Sequence, residues 1–228
     1  PKMKIEFLQE TDSTNTYIKR YLGCGEDVIV CAARQTGGKG TKGRSFDSSA
    51  GGVYLSKLTF YRDFSASDAF RVMIGAAVSV CKTARAFGAD AHIKWPNDVY
   101  VKERKLSGTL IENAVAEGKL LSSIVGIGIN VNNDVSASGG IAVSLSELAG
   151  KPLSVQSVRD RLISELLQTH SFEEYCSYVR FLGNTVTVVE GERSFRAVAL
   201  RIAQDGRLVV KEGDTERALS SAEISLKL

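Results

Sequence analysis

Gln35-Thr36-Gly37-Gly38-Lys39-Gly40-Thr41-Lys42-Gly43-Arg44 is the stretch on which the choice of fold turns. Four of its residues are glycine, three are cations and none is an acid. Glycine at this density cannot offset the entropy lost in regular structure, so the stretch is a loop. It follows an apolar, β-branched run over residues 27–33, which reads as a buried strand. The spacing Gly38-x-Gly40-x-x-Gly43 matches the dinucleotide fingerprint. That fingerprint must open a helix whose N-terminus holds a pyrophosphate. Here the chain runs on through Arg44-Ser45-Phe46-Asp47-Ser48-Ser49-Ala50-Gly51-Gly52, which cannot be that helix. A doubly wound dinucleotide fold is therefore set aside, and no glycine spacing leads to the Gly-Lys-Ser/Thr of a phosphate-loop NTPase. The loop still offers backbone N–H groups and three cations that can fold over a polyanion. A solvated basic loop without a ligand would have the same composition.

Outward from the loop, residues 53–60 read as a strand. Ala69, Phe70, Met73, Ala76, Ala77, Val80, Ala84 and Phe87 recur at three- and four-residue spacing, predicting a long helix over 67–87 packed closely on a sheet. Strands follow at 92–95 and 99–101, then a charged turn at 102–105, then strands at 106–115 and 120–129. Upstream, residues 12–22 begin with capping residues and predict a short helix. Residues 155–178 are helical in pattern with a break near His170-Ser171. After Gly183 the texture changes to short strands at 185–190, 195–202, 208–211, 216–219 and 223–226, separated by glycine turns. That pattern predicts a small SH3-like β-barrel over 183–228, behind a larger domain over 1–182.

At 228 residues, with 43% hydrophobic and 24% charged residues, the chain has the composition of a globular protein. A formal charge of +3 does not announce a nucleic-acid binder. No run approaches the ~18 apolar residues of a membrane span, and no secretory signal is visible, so a cytoplasmic location is expected. Cys24, Cys31, Cys81 and Cys176 form no C-x-x-C, and only His92 and His170 could assist them. Neither a metal site nor a disulfide framework is expected; the thiols read as reduced and mostly buried.

A second polar cluster is Lys94-Trp95-Pro96-Asn97-Asp98, followed by Lys105. Asn97 and Asp98 suit a simple turn, and the lysines suit ordinary surface charge. Lys105 stands apart because it directly precedes the apolar run Leu106-Ser107-Gly108-Thr109-Leu110-Ile111, which would aim it along a sheet into a cleft.

Together, Asp12-Ser13-Thr14-Asn15, Gln35 with its basic loop, Lys94-Trp95-Pro96-Asn97-Asp98, Lys105-Leu106-Ser107-Gly108 and Gly126-Ile127-Gly128-Ile129-Asn130 resemble the biotin–protein ligases, in order and over almost the whole chain. The resemblance implies an α+β fold: a mixed sheet flanked by helices, as in lipoate ligases, with the small barrel behind it. It implies that ATP activates biotin as biotinyl-5′-adenylate, that a lysine of a biotin carboxyl carrier protein takes the biotin, and that Mg²⁺ accompanies ATP. Catalytic roles would fall to Lys105, Lys94 and Asp98. Ser13, Thr14, Asn15, Gln35, Lys39, Gly40, Thr41, Lys105, Gly126 and Gly128 would hold biotin; Lys39, Lys42, Arg44, Phe46, Asn97 and Asn130 would hold ATP or the adenylate. The family loop is usually richer in arginine, where this chain has Thr41, and Phe46 replaces a tryptophan. The resemblance further implies the type without a DNA-reading head, no specific DNA binding, and a homodimer by family habit. The alternatives are a lipoate or octanoate ligase on the same fold, and a non-catalytic binding module.

Overall fold

In the computed structural model, which describes residues 3–220 and 224–227, seven strands form one sheet: β1 (Lys4–Thr11), β2 (Val28–Gln35), β3 (Val53–Ser65), β4 (Ala91–Lys94), β5 (Asp98–Val101), β6 (Arg104–Ala116) and β7 (Lys119–Ile129). Their order is β1-β2-β3-β7-β6-β5-β4. β1 and β2 are parallel and every other neighbouring pair is antiparallel, so the sheet is mixed as expected. β1 itself is a strand the sequence reading did not delimit. It is an edge strand with no buried residue: the apolar Ile5 and Phe7 are exposed while Glu6 and Leu8 are half-buried, so hydrophobicity does not follow the strand period.

Five helices pack on the sheet or beside it: α1 (Thr14–Ile18), α2 (Phe70–Ala86), α3 (Leu145–Ala149), α4 (Val155–Leu166) and α5 (Phe172–Tyr178). The expected helix over 12–22 is shorter as an α-helix, finishing as a 3₁₀ turn over Lys19–Tyr21. The break near His170-Ser171 has a local cause: the Ser171 side chain accepts from the Glu174 N–H and starts α5.

Alternation along the strands divides the core. Ile29, Cys31, Leu55, Val125, Ile127 and Ile129 face α2, α4 and α5, where Ala77, Val80, Cys81, Ala84, Val158, Leu162 and Tyr175 complete the main cluster. On the opposite face Val28, Val30, Leu58 and Ile124 bury Ile18 of α1. β7 is thus covered on both sides at the centre of the sheet.

Beyond the helices, β8 (Thr185–Glu190), β9 (Arg193–Ile202), β10 (Leu208–Glu212), β11 (Thr215–Leu219) and β12 (Ile224–Lys227) form an antiparallel sheet of order β11-β10-β9-β8-β12. Glu223, the expected start of the last strand, lies outside the described residues. This small sheet docks on the corner between β4 and β5. The Trp95 indole N–H donates to Gly206 O at 2.9 Å, and the Tyr175 hydroxyl donates to Pro96 O at 2.7 Å. Gly206 has φ +86°, and a Cβ there would lie 2.3 Å from the Phe70 ring. Trp95→Phe should lower unfolding stability by about 2 kcal/mol, from the unpaired Gly206 carbonyl and the lost ring volume. A denaturant midpoint equal to wild type would show that the small sheet is held elsewhere. No helix among the described residues is long and apolar enough to cross a membrane.

Candidate active site

The face of the sheet that carries α1 continues past it into a cavity of about 390 Å³, lined by the start of α1, the end of β2 and the loop after it, strands β5, β6 and β7, and the segment after β7. Strand register builds its floor. Ser56, Gly126 and Leu110 lie side by side across β3, β7 and β6, and Tyr54, Gly128 and Gly108 form the next row. On β7, glycine therefore alternates toward the cavity while Val125, Ile127 and Ile129 point into the core.

One end of the cavity is a closed polar network. Ser13, Thr14 and Asn15 are all buried. Ser13 is the N-cap residue of α1, yet its side chain makes no cap bond, and it lines the cavity. Gln35 Oε1 accepts from the Thr14 backbone N–H at 2.7 Å and stands 3.1 Å from the Thr14 hydroxyl. The Gln35 amide donates to Ser48 Oγ at 2.8 Å, and Ser48 donates to Phe46 O at 3.0 Å. Ser56 Oγ lies 2.7 Å from Thr14 Oγ1 and 2.6 Å from Asn15 Oδ1. Asn15 Nδ2 donates to Glu112 Oε1 at 3.0 Å, and the second oxygen of Glu112 pairs with Lys19. Burial alone would raise the Glu112 carboxyl, but hydrogen bonds from Lys19 and Asn15 outweigh it and hold the group below its ordinary range.

At the other end Lys105 Nζ donates to Asp98 Oδ2 at 2.7 Å, with roughly a quarter of each side chain exposed. A segment after β7 closes over them. The Lys105 N–H donates to Ile141 O, and the Val143 N–H donates to Lys105 O. Asn133, Asp134, Val135 and Ala142 contribute to the wall, and Asn130 Oδ1 accepts from the Asn133 amide.

The loop over residues 36–52 forms the lid. It bonds to itself: Gly40 N–H to Arg44 O at 2.7 Å, and Phe46 N–H to Gly38 O at 2.9 Å. The Arg44 guanidinium reaches both the carbonyl (3.2 Å) and the hydroxyl (3.1 Å) of Thr41. Lys39 bonds Thr16 Oγ1 at 3.0 Å. Phe46 lies over the floor, where a Cβ on Gly128 would come 2.4 Å from its ring.

The cavity thus gathers Ser13, Thr14, Asn15, Gln35, Lys39, Gly40, Thr41, Arg44, Phe46, Asp98, Lys105, Gly126, Gly128 and Asn130. Two expected residues stand outside its wall. The Lys94 ammonium sits 5.0 Å from the Tyr100 ring centroid, and burial lowers its pKa while Asp98 opposes that shift. Asn97 donates to Thr109 O at 2.8 Å, which is a turn-holding bond. The side chain of Lys42 is outside the described residues. Sequence reasoning missed Ser48, Ser56, Glu112 and the 133–142 wall. An acid at Glu112, where the alternation of Gly108 and Leu110 points inward, was the one available signal.

The model for the Biotin/lipoate A/B protein ligase family matches residues 7–130, more than half of the chain. The chain belongs to this family. A second model, the biotin protein ligase C terminal domain, matches residues 181–227 of the ligase. Among curated relatives, the bifunctional ligase/repressor BirA of Escherichia coli is 27% identical, over 98% of this chain and 74% of its own length. BirA of Bacillus subtilis is 31% identical, over 88% and 66%. The biotin protein ligase from Aquifex aeolicus, solved in complex with biotin and ATP, is 28% identical and superposes with a TM-score of 0.77, covering 98% of both chains.

Proposed function

We propose that this ligase joins biotin to a lysine of a biotin carboxyl carrier domain by way of biotinyl-5′-adenylate. One observation carries the reading: a single cavity has fixed hydrogen-bonding groups at one end, a glycine floor, and a Lys105–Asp98 pair at the other. A ureido ring presents two N–H donors and one carbonyl, which suits the Ser13, Thr14 and Gln35 end. A lipoyl ring would offer no partner to the hydrogen-bonding capacity that this network leaves facing the cavity, at a cost of about 1–3 kcal/mol for each group left unmatched. The glycines let a flat apolar tail lie against the sheet.

A carboxylate oxygen of biotin attacks the α-phosphorus of ATP, and pyrophosphate leaves with the electrons of the broken P–O bond. Lys105 neutralises the two anions as they meet, and Asp98 keeps its ammonium in place. The acceptor amine then attacks the acyl carbon, AMP leaves, and Asp98 takes the amine proton. Mg²⁺ would accompany the ATP phosphates and screen their charge, and Asp47 and Asp134, which both line the cavity, are the carboxylates that would hold its water shell. Residues 1–182 supply the chemistry, while 183–228 brace the Trp95 corner.

Mass spectrometry of a purified carrier domain after incubation with ATP and biotin tests this; the expected gain is one biotin. A gain only with lipoate, or none with either, overturns it. The lid should also tighten around the adenylate, so biotin plus ATP should slow tryptic cleavage at Lys39, Lys42 and Arg44 by about tenfold. Equal cleavage with and without ligands would mean a static loop.

A further inference from the structure

We infer that Glu112 is a positioning residue that fixes which atoms of the head subsite accept hydrogen bonds. The inference rests on the proposal that biotin is the substrate. Glu112 does not itself line the cavity; it stands behind Asn15, one row along β6 from Leu110, opposite Ile124. A carboxylate can only accept. It therefore draws the Asn15 amide nitrogen toward itself, and Lys19 holds its other oxygen. The Asn15 oxygen must then face Ser56, and only the Ser56 proton can satisfy it at 2.6 Å. Thr14 Oγ1 lies 2.7 Å from the same Ser56 hydroxyl, and its own proton has an acceptor in Gln35 Oε1, 3.1 Å away. With the Ser56 proton committed to Asn15 and the Thr14 proton held inside the network, the Thr14 lone pairs are left for a donor in the cavity.

The direction of every bond from Lys19 to Ser56 thus follows from one negative charge. The group so prepared is an acceptor, the complement of a ureido N–H. Without the charge, the Asn15 amide can flip, the Ser56 proton is released to Thr14, and it takes up a lone pair that the substrate N–H would use.

The test compares wild type with Glu112→Gln, using calorimetric affinity for biotin and for biotin methylated at one or the other ureido nitrogen, beside steady-state adenylation. Glutamine keeps the size but cannot serve Asn15 and Lys19 with two acceptors. Biotin Kd and KM should rise about tenfold, with kcat at saturating biotin within about twofold of wild type. The preference for biotin over one methylated isomer should fall by the same factor. A merely structural role would weaken both ligands alike. Lys19→Met, at an exposed position, gives a second reading with unaltered packing. It should lower the same preference about threefold. Unchanged preference in a folded Glu112→Gln, or in Lys19→Met if the first variant does not fold, overturns the inference. Failure of wild type to bind biotin would instead overturn the proposed function.

Discussion

Replacing Lys105 by alanine is expected to slow biotin-dependent pyrophosphate release by about a hundredfold, near 3 kcal/mol of transition-state stabilisation. The expectation comes from where the cation sits. Its ammonium is 2.7 Å from Asp98, and a Cβ on Gly108 would lie 3.2 Å from its Cε, so the side chain runs over the cavity floor. In wild type it is a charge held ready where two anions must meet; in the variant only Asp98 remains, and its sign is wrong. The fold should survive. The backbone of residue 105 is bonded on both sides to the 141–143 segment, and Asp98 is exposed enough for water to solvate it. Single-turnover pyrophosphate release, beside a thermal melt, separates chemistry from folding. Release at wild-type speed would remove Lys105 from the reaction.

Gly126→Ala should do still more harm to biotin binding, a loss of several hundredfold or more. The added Cβ would stand 2.0 Å from Asn15 Oδ1 and 2.8 Å from Asn15 Cγ. Asn15 cannot retreat, because Ser56 and Glu112 hold the two ends of its amide and the residue is buried at the start of α1. Either the amide breaks both bonds or β7 shifts in the middle of the sheet; overpacking plus two lost buried bonds amounts to about 3–5 kcal/mol. Gly128→Ala is the instructive control. The three atoms nearest its Cβ all belong to the Phe46 ring, the first at 2.4 Å, and Phe46 belongs to the lid, so the ring can move aside. Affinity for biotin should fall much less there. Equal losses in the two variants would show that the floor tolerates no side chain for a reason unrelated to Asn15.

The difference between these glycines marks what the sequence could and could not reveal. Their spacing is legible, and so is the long helix α2, because small and apolar residues recur there at helical period. The glycine turns of the C-terminal sheet are legible for the same reason: punctuation is local. The edge strand β1 was not, since its mixed exposure leaves no periodic signal. The five-residue helix α3 and the wall over 133–142 carry neither period nor charge pattern. Lys94 and Asn97 show the converse case. They sit in a conspicuous motif, yet one rests by Tyr100 and the other ties a turn to Thr109, while only Asp98 of that motif reaches the cavity. Ser56 is invisible in the sequence, and Glu112 shows only as an acid at an inward position, because their meaning comes from strand register, which is a long-range property.

The bond from Asn15 to Glu112 closes a loop of chain 97 residues long. Contacts of such sequence separation form slowly, because the closure entropy must be met before they contribute. The polar end of the cavity needs β2, β3, β6, β7 and α1 at once, so it is assembled only when the central sheet is complete. It follows that partial opening of the outer elements should leave the pocket whole, and that its loss should coincide with global unfolding. Backbone amides of Ser56 and Gly126 should accordingly be among the slowest in the chain to exchange with deuterium, and a melting curve followed at those two positions would report the survival of the pocket directly.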